Sequence, residues 1–298
     1  MDNTRGSALM VLAMLGFAIE DMCIKQMAGA LPVGQILMLL GIGGALIFGI
    51  IARACGDTLW SRDLLQSSVI LRNTGEVFGT LGFVTAVALT PISSASAILQ
   101  ATPLVVTIGA ALFLGETVGW RRWVAIAVGL SGVLLVIRPG LDGFDANSLF
   151  AVQGVIGLAI RDLATRRVPS TITSRQLATY AFAIIIPTGA VMQWIGWGGT
   201  HLVVPGGADI IRLCVAIGVG VAAYYMLVAA TRIGDMSVIA PFRYSRLVFA
   251  LFVGVLVFGE TPDRLTLTGA AIIVGSGIYT LWREARLRRA SLATQPAL

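Results

Sequence analysis

Apolar residues in this chain gather into runs of about twenty, each closed by a short polar or turn-forming segment, and the runs follow one another almost end to end. A hydrocarbon core of ~30 Å takes about 20 helical residues to cross. Backbone amides find no water there, so apolar runs of that length are predicted to be helices. Ten spans are predicted, at 6–28, 32–52, 68–89, 93–114, 120–138, 148–166, 174–195, 208–231, 236–258 and 265–283. Turn chemistry separates them: Leu31-Pro32, Thr90-Pro91, Arg138-Pro139-Gly140, Val204-Pro205-Gly206-Gly207 and Thr261-Pro262-Asp263.

Composition agrees with lipid as the main solvent. The 298 residues are 57% hydrophobic and 12% charged, with a mean hydropathy of +0.89, against roughly 25% charged in ordinary globular domains. Ten spans with short loops leave no length for a soluble catalytic domain. Net charge is +6, but the arginines sit in connecting segments and in the C-terminal run Arg283, Arg286, Arg288, Arg289, where they set topology rather than bind nucleic acid. With the N-terminus inside, thirteen basic residues fall at cytoplasmic ends: Arg5, Arg53, Arg62, Arg121, Arg122, Arg166, Arg167, Arg175, Arg232 and those four. Lys25, Arg138, Arg212 and Arg264 fall on the other side. Both termini are therefore expected in the cytoplasm, with a basic tail over 284–298.

Cys23, Cys55 and Cys214 lie far apart without ligand spacing, and the single histidine, His201, falls in a Gly-rich connector. Neither a disulfide framework nor a metal site is expected, and no cofactor is implied. The first apolar run passes Glu20 and lacks a small-x-small cleavage site, so it reads as a span and not as a removable signal.

The chain also repeats itself. Ile98–Thr117 and Phe242–Thr261 are apolar helices that both run into Gly-Glu-Thr, at Gly115-Glu116-Thr117 and Gly259-Glu260-Thr261, an offset of 144 residues. Each is followed by a polar turn and a helix rich in small residues, Val128-Gly129-Leu130-Ser131-Gly132 and Val274-Gly275-Ser276-Gly277. Five spans per half is an odd number, so the second half enters from the opposite face. The fold expected is an all-α membrane protein of ten transmembrane helices in two inverted five-helix repeats, 1–143 and 144–283. Inverted repeats are typical of alternating-access carriers with a site near the midplane.

Ten spans in two such halves, with an LGE or FGE end to each fourth helix, resemble the EamA branch of the drug/metabolite transporter superfamily over about 6–283. Lys25, Arg72, Pro103 and the two Gly-Glu pairs carry the resemblance. Leu247 departs from it, standing where the second proline would fall, behind Arg243-Tyr244-Ser245-Arg246. The chain is similar to bacterial inner-membrane exporters of amino acids, including the aromatic-amino-acid type. The resemblance implies a carrier that exports amino acids or related metabolites by alternating access, without an obligate protein partner.

Ionisable groups inside spans cost roughly 2.5–3.5 kcal/mol each on insertion scales, so each needs a partner or a wet cavity. Asp21 and Lys25 are i,i+4 and can share a face, with Glu20 about 100° away; the three are candidates for an internal pair, a gate or a coupling site. Arg72 and Glu76 are again i,i+4, a bridge or a cytoplasmic gate. Arg243 and Arg246 lie on one helical face behind Pro241, where guanidinium groups can grip a carboxylate; Tyr244, Tyr224 and Tyr225 add aromatic surface. Ser96, Gln100 and Thr102 supply neutral polar groups where Pro103 is expected to bend the fourth helix. The repeat matches Gln100 with Tyr244 and Thr102 with Arg246, which places both sets on the walls of one cavity. Glu116 and Glu260 are expected to be structural, each capping the N-terminus of the following helix.

Other classes fit less well. No GxxxxGK[ST] loop occurs, so transport is expected to be facilitated or coupled to an ion gradient. An enzyme is not expected, since nothing catalytic clusters at one interface. An organic-cation efflux carrier would need a carboxylate free of Lys25 and Arg72, and an uptake carrier for a vitamin or an S-adenosylmethionine-like metabolite shares the same motifs.

Overall fold

The structure, a computed structural model, describes residues 2–293 apart from Ser61, Thr117, 142–143, Ser170, 197–200 and 234–235. The helices are α1 (Asn3–Met27), α2 (Val33–Ala54), α3 (Ser67–Leu89), α4 (Ile92–Leu99), α5 (Thr102–Phe113), α6 (Trp120–Ile137), α7 (Ser148–Thr165), α8 (Ser174–Trp194), α9 (Gly207–Ile233), α10 (Met236–Ile239), α11 (Ser245–Phe258) and α12 (Arg264–Ala293). Most span boundaries fall within three residues of those expected. The last helix is the exception: it runs on to Ala293 through most of the segment read as a basic tail, whose final residues 294–298 lie outside the described ones. Among the described residues, nine spans are long and apolar enough to cross a bilayer. The tenth long helix, α3, carries Arg72, Asn73 and Glu76 in its first half.

Two spans are broken, at matching places. The fourth divides into α4 and α5 at Gln100-Ala101, just ahead of Pro103, which removes a backbone donor and crowds the preceding turn. The ninth divides into α10, a 3₁₀ turn over Ala240–Tyr244 and α11. This second break does not depend on a proline at the Leu247 position, because Pro241, six residues earlier, starts the 3₁₀ segment. Gln100 and Tyr244, the repeat-matched pair, both sit at the breaks.

Helices pack in crossed pairs: α3 on α7, α2 on α8, α1 on α9, and α6 on α12. Exchanging each span of the first half with its counterpart in the second returns the same set of pairs. Glycines set the closeness of the crossings, since lipid offers no hydrophobic drive and packing must do the work. A Cβ at Gly82 of α3 would lie 2.7 Å from the Gly154 nitrogen and the Phe150 oxygen of α7, and one at Gly34 of α2 would lie 2.7 Å from the Gly189 oxygen of α8.

The buried core is lopsided. One large cluster joins the end of α1 (Ile24, Met27), the start of α2 (Ile36, Leu37), the end of α3 (Val87), α4 (Ile98) and the meeting of α6 and α12 (Val136, Ile273). The opposite end holds smaller clusters, one around Met10, Met14, Ala230 and Ile239 and another around Val69, Ile172 and Leu177. Outside the spans, Arg138 closes α6 in the left-handed region (φ 55°) and bonds Asp263 and Thr266 at the head of α12. Those bonds hold the Asp263 carboxyl down at about 2. Near the other ends of the spans, Arg175 and Thr173 hydrogen-bond Asp57, which keeps its carboxyl below the usual range.

Candidate functional site

The charged side chains at membrane depth sort into three groups. At the centre, Arg246 of α11 grips Asp21 of α1 through contacts of 2.7, 3.0 and 3.2 Å. Asp21 is 2% exposed. The guanidinium also lies over the rings of Phe17 and Phe83, 5.2 and 5.0 Å from their centroids. Charge, hydrogen bonds and ring quadrupoles together make this a fully satisfied cation.

Lys25, expected as an i,i+4 neighbour of Asp21, turns elsewhere. Its ammonium donates to the Thr90 carbonyl, faces Glu260 Oε1 at 3.6 Å and lies 5.3 Å from the Phe258 centroid. Glu260 does cap a helix, but not the following one. Its carboxylate accepts from Ile92 N at 2.7 Å, Ser93 N at 3.1 Å and Ser93 Oγ at 2.6 Å, so it caps α4 in the other half. A carboxylate at a helix N-terminus meets donors that have no partner within the helix. Glu116 is not seen capping α6 either: Gly119 starts that helix without a side-chain cap, and Glu116 pairs with Arg166 at 2.8 Å.

The third group lies between α3 and α7. Arg72 and Glu76 form the expected bridge at 3.2 Å, and Arg161 adds a second cation to Glu76 at 3.3 Å while holding Asp162 at 2.8 Å. Arg161, near the end of its span, is a residue that the reading of the sequence did not single out. The internal repeat was the available signal. Ala18-Ile19-Glu20-Asp21-Met22-Cys23-Ile24-Lys25 aligns with Ala159-Ile160-Arg161-Asp162-Leu163-Ala164-Thr165-Arg166, which sets Glu20 opposite Arg161 and Lys25 opposite Arg166.

Two ionisable residues of the centre are left over. Glu20 lies against α9, where a Cβ on Gly220 would come within 2.8 Å of its carboxyl group. Among the described residues it has no ion-pair or hydrogen-bond partner. Arg161 meets Glu76 at the corresponding seam; Glu20 meets a glycine. Arg243, one turn before Arg246, offers its backbone carbonyl to Gln100 Nε2 at 3.2 Å, while its guanidinium has no partner among the described residues. Among the described residues, then, the Glu20 carboxyl, next to Asp21 in the chain, and the Arg243 guanidinium, three residues before Arg246, each lack an ion-pair or hydrogen-bond partner.

The neutral candidates divide. The Gln100–Arg243 bond brings the two break points together. Tyr244 and Ser96 are buried, and among the described residues neither Tyr244 O–H nor Ser96 Oγ has a hydrogen-bond partner. Thr102 spends its hydroxyl on the Leu99 carbonyl at 2.6 Å, closing the break in its own span. Tyr224 stands edge-on to Phe48 at 5.3 Å, and Tyr225 is 69% exposed on the outside of the bundle. A groove of about 350 Å³ between α6 and α12, lined by Trp120, Val124, Val128 and Tyr279, is apart from these residues and largely apolar, as suits a lipid-facing wall.

Comparison with known proteins fits this architecture. The S-adenosylmethionine uptake transporter of Rickettsia felis is 26% identical over 215 residues, 72% of this chain and 71% of that protein. The riboflavin transporter of Vibrio cholerae serotype O1 is 31% identical over 201 residues, 67% of this chain and 66% of that one. The pseudopaline exporter CntI of Pseudomonas aeruginosa is 26% identical over 278 residues, 90% and 93% of the two. A solved crystal structure aligns over 95% of this chain and 99% of its own with a TM-score of 0.61 at 19% identity, which shows a shared fold. The model of the EamA-like transporter family matches residues 4–138. This multi-pass membrane protein therefore belongs to the EamA-like transporter family, within the drug/metabolite transporter superfamily.

Proposed function

We propose that this chain exports amino acids or amino-acid-derived metabolites across the bacterial inner membrane by alternating access between two inverted halves, with both termini in the cytoplasm. The observation that carries the reading is the pair of unspent charges beside a neutral centre. Arg246 and Asp21 cancel each other, so the pair of arginines expected to clamp a carboxylate reduces to Arg243. A zwitterionic head group complements what remains: carboxylate to Arg243, ammonium to Glu20. Either charge buried alone would be costly, and a dipolar ligand satisfies both at once. Tyr244 O–H and Ser96 Oγ add neutral hydrogen-bonding capacity near the break points. The exchange symmetry of the helix pairs and the matched breaks support the inverted halves.

A second reading has an observation of its own. The free Glu20 also suits a substrate with an additional positive charge, such as the sulfonium of S-adenosylmethionine, which carries an α-amino-acid head group as well. Flux of labelled substrates in proteoliposomes separates the two. Under the first reading, a neutral-side-chain amino acid is carried, and Arg243→Gln and Glu20→Gln each reduce its flux at least about tenfold, the loss expected when one charge-assisted bond of about 1.5–3 kcal/mol goes. Transport of S-adenosylmethionine alone would favour the second reading. Flux of every zwitterion untouched by both substitutions would discard the head-group assignment.

A further inference from the structure

Each half contributes one cation and one carboxylate to the two ends of the bundle, and the pairs they form are equivalent by repeat. Lys25 of α1 meets Glu260 after α11; Arg166, just after α7, meets Glu116 after α5. Lys25 matches Arg166 in the eight-residue alignment, and Glu116 matches Glu260. The supporting turns match as well. Gly259 and Gly115 are left-handed (φ 63° and 68°), and in each turn the glutamate N–H reaches back six residues, to the Gly254 carbonyl at 2.9 Å and the Ala110 carbonyl at 3.2 Å. Both pairs join one half to the other.

Their surroundings do not match. Side-chain exposure is 16% and 11% for Lys25 and Glu260, against 48% and 42% for Arg166 and Glu116. Glu260 also holds the head of α4; among the described residues Glu116 holds Arg166 alone. Ile98 of α4 is 1% exposed, while its counterpart Phe242 is 41% exposed. The large apolar cluster lies at the Lys25 end. Identical parts in unequal surroundings are what a two-state element gives when it is caught in one of its states.

Building on the alternating-access reading, we infer that Lys25–Glu260 and Arg166–Glu116 are the two gate latches of the carrier. In the structure both pairs are made, the Lys25–Glu260 pair enclosed and the Arg166–Glu116 pair, at 2.8 Å, half-exposed to the more open end. In the opposite state the surroundings exchange: the Arg166–Glu116 pair is enclosed and the Lys25–Glu260 pair is opened to water. By the distribution of basic residues the open end is the cytoplasmic one, so the state seen faces inward.

Labelling tests this without any substrate. In a background lacking Cys23, Cys55 and Cys214, Ser96→Cys reports on the shut end, because Ser96 sits one turn beyond Ser93 and is buried. A membrane-impermeant maleimide is applied to right-side-out vesicles. Glu260→Gln is expected to raise the labelling rate of Ser96→Cys about five- to tenfold, and Glu116→Gln to lower it, since the two shift one equilibrium in opposite directions. Lys25→Gln removes the cation but leaves the Glu260 cap on α4 in place, so it is expected to raise the rate as well, which guards against a folding defect in the single variant. Glu260→Gln or Lys25→Gln without effect, or Glu116→Gln shifting the rate the same way as these two, would each overturn the assignment. A carrier with reciprocal labelling but no amino-acid flux would instead remove the substrate reading and leave the latches standing.

Discussion

Asp21→Asn removes the counter-charge of Arg246 and leaves a guanidinium inside the bundle. Breaking a buried pair by deleting one partner costs about 3–5 kcal/mol, because the surviving charge stays desolvated. Here Arg246 keeps its two aromatic neighbours, each worth roughly 0.5–2 kcal/mol, and the asparagine carbonyl accepts one of the three hydrogen bonds. The expected loss is therefore about 2–3 kcal/mol. Arg246→Gln strands the carboxylate instead, which has no ring to face, so its loss should be the larger. Replacing both at once, Asp21→Asn with Arg246→Gln, recovers much of the deficit, giving a coupling of about 2 kcal/mol in a double-mutant cycle. Thermal unfolding of the purified protein in detergent, read by tryptophan fluorescence, supplies the four stabilities. Single losses that add to within about 0.5 kcal/mol would refute the reasoning, since independent sites behave that way.

Two other expectations rest on the same chemistry. Glu76→Gln leaves Arg72 without a carboxylate and Arg161 with Asp162 alone, and is expected to destabilise by about 3 kcal/mol, whereas Glu116→Gln, in a half-exposed pair, changes unfolding by under about 1 kcal/mol; midpoints of detergent unfolding compare them. The Asp263 carboxyl is held at about 2 by Arg138 and Thr266, below its unfolded value of roughly 3.9. Its contribution is thus complete above pH 4 and lost as pH falls toward 2. Asp263→Asn should flatten that part of the stability profile without affecting the profile above pH 5, and an unchanged acid limb would contradict the assignment.

Length and hydropathy made nearly all of the fold legible, because a span in lipid has few alternatives to a helix. The repeat was legible too, from Gly-Glu-Thr and the matched hydropathy around it. Partnership among charges was not. An i,i+4 spacing on one helix correctly joined Arg72 to Glu76, but the same spacing joined Asp21 to Lys25, and here the tertiary partners Arg246 and Glu260 won. A pair on one helix gains little when another helix brings a better-placed group of opposite sign, and sequence distance says nothing about which helix that is. The register of the duplication held more than was taken from it. Setting Glu20 beside Arg161 would have marked Glu20 as the position where one half has a counter-ion and the other has a glycine. Pro241 likewise foretold a broken ninth span once the second proline was no longer demanded at Leu247.

Glu260 alters how loss-of-function data for such a chain should be interpreted. Its side chain meets the backbone of residues 168 and 167 positions earlier, at Ile92 and Ser93, so a motif that looks local is a long-distance tether. A substitution there would silence the protein by freeing the start of a helix in the opposite repeat, with no ligand involved. Mutational scans that score such a glutamate as essential would map an architectural joint, and drawing the ligand pocket around it would misplace the pocket.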